Sequence, residues 1–98
     1  MIRRIFKVRI DSNQRDAFER DFASVSVEAA VNREGFLGLE IGKPLRWNPD
    51  DYVMIGDWRD EASLVAFAST RWNRAVIPPP MEKYVVSCSV EHCLFPDR

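Results

Sequence analysis

A guanidinium and an imidazole on one apolar surface are the most reactive pairing this chain offers. Arg4 interrupts the alternation of Ile2, Phe6, Val8 and Ile10, and His92 interrupts a final strand reading from Tyr84 to Cys93. If those strands pair antiparallel, the start of one lies beside the end of the other and the two side chains approach. A neutral imidazole there takes a phenolic proton, while Arg4 holds its pKa down and favours the phenolate. Trp58, Phe67 and Trp72 offer apolar walls for a ring, Asn73 a hydrogen bond to a ligand carbonyl, and Arg74 a charge to stabilise an anion. Tyr84 and Tyr52 carry hydroxyls able to donate to substrate oxygen. Each residue also has a plain structural use. Rings at strand and helix spacing fill cores, Asn73 and Arg74 suit a helix C-terminus, and Arg4 and His92 reach water at a strand rim.

Other chemistries lack their residues. Cys88 and His92 share a strand face four residues apart, too far to grip one ion, and Cys93 points away, so no metal site is expected. The two cysteines lie about 16 Å apart along that strand and form no intrachain disulfide. Gly35, Gly38, Gly42 and Gly56 make no phosphate loop, and neither paired catalytic carboxylates nor a Ser–His–Asp order is evident.

The elements that must position these groups are legible. After strand one, Asp11, Ser12 and Asn13 offer cap oxygens, and Phe18, Phe22, Val25 and Ala29 form the stripe of an amphipathic helix. Asn32 to Gly35 ends it. Leu37, Leu39 and Ile41 alternate with Gly38, Glu40 and Gly42, and Asn48-Pro49-Asp50-Asp51 turns the chain into Tyr52 to Trp58, a hairpin. Asp60 is the cap of a second helix with Leu64, Ala68 and Trp72 every four residues, stopped by a stiff, extended Pro78-Pro79-Pro80. The order strand–helix–strand–strand–helix–strand predicts an α+β, ferredoxin-like antiparallel sheet covered by two helices on one side. The open face is expected to carry Arg3, Ile5, Lys7 and Arg9, then Val85, Ser87, Ser89 and Glu91, with some of Phe36, Glu40 and the strand-three residues. Such a mixed face suits pairing with a second copy.

Ninety-eight residues with 46% apolar content suit one domain over 1–98, and a chain this size gains stability from a partner subunit. A net charge of −1 gives no reason to expect nucleic acid or an anionic membrane. The N-terminus breaks its apolar residues with charges too often for a signal peptide, so a cytoplasmic protein is expected.

The first strand and helix, the Glu34-Gly35-Phe36-Leu37-Gly38 turn, the Tyr52 to Trp58 strand with Arg59-Asp60-Glu61-Ala62, and Ala66-Phe67-Ala68-Ser69 together resemble the antibiotic biosynthesis monooxygenase family. The likeness covers about the whole chain. It implies a homodimer whose sheets form a shared α+β barrel, with a pocket between sheet and helices in each protomer. It also implies oxidation of aromatic polyketide intermediates to quinones by O₂, without flavin, metal or haem. A haem-degrading branch of that family resembles an Asn/Trp/His set. Counting from Trp58, its Trp falls on Phe67 and its His on Ile77, which leaves His92 as the only imidazole to hold iron. The resemblance thus implies a cofactor-independent monooxygenase of a phenol or hydroquinone, or else a non-catalytic ligand-binding or regulatory member, with a haem-binding protein that uses His92 in a new role as the third and least favoured alternative.

Overall fold

Alternating apolar residues, capped helix starts and left-handed turns build the elements. The computed structural model describes residues 1–69 and 74–96, without the side chains of Ser26 and Ala29. β1 spans Ile2–Ile10. The Asp11 carboxylate accepts from the Asn13 amide at 2.9 Å and opens a short 3₁₀ turn leading into α1, Arg15–Asp21. The helix then widens into a π-helical turn, Phe22–Ser26, before α2, Val27–Ala30. Phe18 and Phe22 are buried and Val25 packs against them, as the stripe predicts. Ala29, its last member, lies outside the described side chains. Asn32 at φ 68° and Gly35 at φ 81° take left-handed backbone and deliver the chain into β2, Phe36–Gly42. β3 spans Asp51–Trp58, and α3, Glu61–Ala68, follows. Asp60 caps α3, accepting from the Ser63 amide at 2.8 Å.

Two expectations about the second half change. α3 ends at Ala68, well before the prolines, because Ser69 turns to φ 62°. Trp72, expected on the same helix, lies outside the described residues. The prolines are not an extended spacer either: Pro79–Tyr84 forms a 3₁₀ helix whose first turn closes by the Met81 amide donating to the Pro78 carbonyl at 2.8 Å. The fixed φ of proline suits a first helical turn as well as an extended chain. β4, Val85–Leu94, completes the fold.

The strands form one antiparallel sheet in the order β2-β3-β1-β4, with helices on one face, a ferredoxin-like α+β fold. The open face carries Arg3, Ile5, Lys7 and Arg9, with Arg3–Asp57 and Arg9–Asp51 ion pairs of 2.9 Å each crossing to β3. Val85 and Phe36 are not on it. A register shift between Arg9 and Ile10 sets Val85 opposite Ile10 and against the core. A second shift, between Phe36 and Gly38, makes Leu37 an extra residue, 57% exposed, and places Phe36 opposite Trp58 with ring centroids 5.3 Å apart. Such a bulge breaks the alternation of Leu37, Leu39 and Ile41 that the sequence suggests.

The core has two neighbouring clusters, one around Phe18, Phe22, Tyr52 and Tyr84, the other around Trp58, Leu64 and Ala68. The Phe18 ring lies 4.8 Å from Phe22 and 4.7 Å from Tyr52. Buried phenols need partners, and α1 supplies both: Tyr52 donates to Glu19 Oε2 at 2.9 Å and Tyr84 to Asp21 Oδ2 at 2.6 Å. Burial, reinforced by Glu19, pushes the Tyr52 hydroxyl up to about 12, so it remains a donor at ordinary pH.

The turn before β2 is locked to the start of α3. The Gly35 carbonyl accepts from the Arg59 amide at 2.7 Å, and a Cβ on Gly35 would overlap the Ser63 side chain. Gly35→Ala therefore combines positive-φ strain with a clash and should cost roughly 2–4 kcal/mol in urea unfolding. A loss below about 0.5 kcal/mol, the range of neutral surface changes, would contradict this packing.

Candidate active site

β1 carries Arg4 onto the helix-covered face, where it is only 5% exposed. Register sets it between Gly56 of β3 and His92 of β4. Its Nη1 donates to His92 Nε2 at 2.9 Å, and its Nη2 donates to the Arg74 backbone carbonyl at 2.9 Å. A guanidinium can only donate, so Nε2 must offer its lone pair and the neutral imidazole carries its proton on Nδ1. Burial, and then the Arg4 charge, hold His92 below its ordinary 6.5. Burial also lowers Arg4, which still remains a cation.

Beside this pair a cavity of about 50 Å³ lies between sheet and helices. Phe6, Met54, Gly56 and Trp58 line it from the sheet, Phe18, Phe22 and Phe67 from the helices, and Val76, Ile77 and Pro78 from the connection to β4. Among the described lining residues Arg4 is the charged one. Trp58 and Phe67 stack at 5.0 Å with an interplanar angle of 26°, and the Arg4 Cζ stands 5.8 Å from the Phe67 ring centre. Gly56 keeps space open opposite Arg4; a Cβ there would meet Trp58 Nε1 at an ordinary 3.6 Å.

The expected site residues separate accordingly. Arg4, Trp58 and Phe67 meet at the cavity, and His92 reaches it through Arg4. Arg74 contributes its carbonyl while its side chain is exposed. Tyr84 and Tyr52 do not line the cavity, because their hydroxyls are held by Asp21 and Glu19 on α1. Trp72 and Asn73 lie outside the described residues. Arg33, with its Cζ 5.6 Å from the Phe67 ring centre, adds a cation beside one of the lining rings that no sequence pattern marks. The alternation and helix stripe mark Phe6, Phe18 and Phe22 as core, and only the fold shows them walling a cavity. Among the described residues no group of three or more His, Cys, Asp or Glu is placed to hold a metal ion.

An apolar cavity with a buried cation, enclosed between a four-stranded sheet and its helices, defines a ferredoxin-like protein with an internal pocket. The sequence profile of the antibiotic biosynthesis monooxygenase family matches residues 1–77, and the chain belongs to that family. No curated protein sequence matches it. Solved structures share the fold. One antibiotic biosynthesis monooxygenase superposes with a TM-score of 0.73 at 17% identity, covering 99% of this chain and 100% of the other. A conserved protein from Methanosarcina mazei gives 0.72 at 18%, covering 94% and 89%. The haem degrader MhuD of Mycobacterium tuberculosis, with two haems bound in its active site, gives 0.68 at 18%, covering 94% and 92%.

A pH dependence follows from the pair. The folded protein prefers neutral His92, so its contribution to stability is full above the unfolded value of 6.5 and is lost as pH falls through the lower folded pKa. Thermal melts should show this step in the wild type and a flat response over the same window in His92→Gln. An unchanged step in the variant would assign it to another group.

Proposed function

We propose that this chain is a cofactor-independent monooxygenase that oxidises a small phenol or hydroquinone with O₂, working as a homodimer. The observation that carries the reading is the ring-walled cavity with Arg4 as its cation. Phenolate is the electron-rich form that reduces O₂, and a guanidinium in a desolvated pocket favours the anion. The substrate releases a phenolic proton, ring and O₂ combine at an unsubstituted carbon, para in a phenol and ortho in a hydroquinone, and water leaves. In sum, a phenol and O₂ give a para-quinone and H₂O, with one oxygen atom in the product and the other in water.

His92 takes the phenolic proton only if its bond with Arg4 opens first, since Nε2 is the acceptor in that bond. Ring ligands pack against Trp58 and Phe67. Trp72 and Asn73 are further candidates from their sequence position alone, and Arg74 supports the site by the carbonyl that holds Arg4. The cavity of about 50 Å³ is smaller than the roughly 150 Å³ void that takes up a benzene ring, so a single-ring substrate requires the Val76–Pro78 wall to shift outward and a polycyclic one requires a larger movement.

The second copy covers the open sheet face, where half-buried Ile5, Val53 and Ile55 lie among charges of both signs, Lys7, Glu40 and Glu91, that suit a self-complementary contact. Cys88 and Cys93, both exposed free thiols, suit a reducing cytoplasm. Among the described residues no helix is long and apolar enough to cross a membrane.

Haem fits these residues poorly. The chain's one histidine has its Nε2 engaged by Arg4, and a cavity of about 50 Å³ is far too small for a porphyrin. The buried cation among apolar walls also suits, as a second reading, a member that binds a small aromatic anion without turning it over.

Oxygen consumption by metal-stripped protein against single-ring phenols and hydroquinones, with ¹⁸O₂ labelling of the quinone, tests the proposal. Arg4→Ala should lower kcat/KM by roughly 100-fold. Gly56→Ala should fold normally yet reduce turnover by narrowing the cavity opposite Arg4. Ligand binding without oxygen uptake would replace catalysis with the binding reading, and neither binding nor uptake would sink both.

A further inference from the structure

We propose that His92 is a positioning residue for Arg4: its neutral ring holds the guanidinium at the cavity, where Arg4 binds an ionised oxygen on an aromatic ring, and its protonated ring lets the guanidinium go. This deepens the reading of Arg4 as the anion-binding group and rests on it.

The geometry is that of a clamp with two jaws. Nη1 is held by an imidazole on the sheet's edge strand and Nη2 by the carbonyl of Arg74, each at 2.9 Å. Two fixed acceptors set the plane of a guanidinium, whose donors form a rigid fork. That plane lies beside the Phe67 ring and the cavity. The Arg74 jaw is a backbone carbonyl and cannot titrate. The His92 jaw can: a proton on Nε2 replaces the acceptor with a donor and sets two cations against each other in a partly buried site.

Arg4 is the charge that acts on the ring. Arg4 faces it from β1, and Arg74 follows on the connecting segment beyond Arg4. α3 contributes the uncharged ring of Phe67 next to Arg4. The neighbours in β4, Glu91 and Cys93, pair with Ile5 and Arg3 and stand on the opposite face of the sheet.

This role differs from proton transfer in what replaces the imidazole. Glutamine keeps an acceptor oxygen for Nη1 but cannot serve as a base near neutral pH. A positioning role therefore survives His92→Gln, whereas a general-base role does not.

The experiment has two arms, neither of which needs turnover. In the first, ¹⁵N NMR follows the single imidazole and the Arg4 guanidinium through a pH titration. The neutral ring should carry its proton on Nδ1, the guanidinium signals should move with the same midpoint, and Arg4→Ala should raise that midpoint. A neutral ring protonated on Nε2, or guanidinium signals indifferent to the titration, would overturn the proposal.

In the second arm, benzoate binding is measured from about pH 8 to about pH 5, a range in which its carboxylate stays ionised. Wild-type affinity should weaken as pH falls below the midpoint found in the first arm, by up to about tenfold for each pH unit below it, as the competent form is depleted. His92→Gln should bind at all these pH values nearly as the wild type does at pH 8, and His92→Ala weakly throughout. A wild-type affinity independent of pH, a His92→Gln variant that still weakens in acid, or no benzoate binding at any pH would each refute it. Should both arms succeed while phenols give no oxygen uptake, the monooxygenase reading fails and the clamp stands.

Discussion

A cation placed on the apolar face of a sheet is the constraint around which this molecule is arranged. Removing a guanidinium from water is costly unless its donors are matched, and burial accordingly pulls Arg4 down. Matching them requires an acceptor from β4 and a second from the chain between α3 and the 3₁₀ helix. The pairing of β1 with β4 brings His92 to the right rung, and the connection must come down far enough to present the Arg74 carbonyl. The same approach brings Val76, Ile77 and Pro78 over the cavity, so the group that gives the pocket its charge also helps set its wall.

At the other end of the sheet the polar problem is solved differently. Tyr52 and Tyr84 bury their rings beside Phe18 and pass their hydroxyls to carboxylates on one helix, α1. Lys43 meets the same Glu19 from the β2–β3 loop at 3.1 Å. One end of the covered face is thus closed by complete hydrogen bonding around packed rings, and the end near Arg4 retains a void. Rigid closure at one end lets the molecule carry a small unfilled volume at the other without losing the packing of its core.

Local rules made much of this legible in the sequence. Asp60 is a helix cap whose partner is three residues away, and the alternation in β1 needs only its own residues to show which side faces the helices. The meeting of Arg4 with His92 could be anticipated because strand order follows from element order. What stayed hidden depends on packing between elements. The extra residue at Leu37 cannot be read from Leu37, Leu39 and Ile41, whose spacing is that of a regular strand; the Phe36 ring against Trp58 decides it. The end of α3 at Ser69 falls within a run that continues to look helical. Which rings would wall a void and which would fill the core was likewise beyond reach, since Phe18 and Tyr84 read alike in sequence.

The bulge in β2 also bears on how a chain of this kind changes length over evolutionary time. Leu37 is the surplus residue between the Phe36–Trp58 and Gly38–Asp57 rungs, and it projects from an edge strand with most of its surface in solvent. Taking it out would close the ladder without exchanging the faces on either side, so the strand can lose a residue here and keep its inward set. Two residues earlier, Gly35 is hemmed in by Ser63 and Arg59 and has no such freedom. Tolerance of insertion and deletion therefore changes abruptly within three residues of chain, and homologues that differ in length at this turn should do so on the strand side of Phe36.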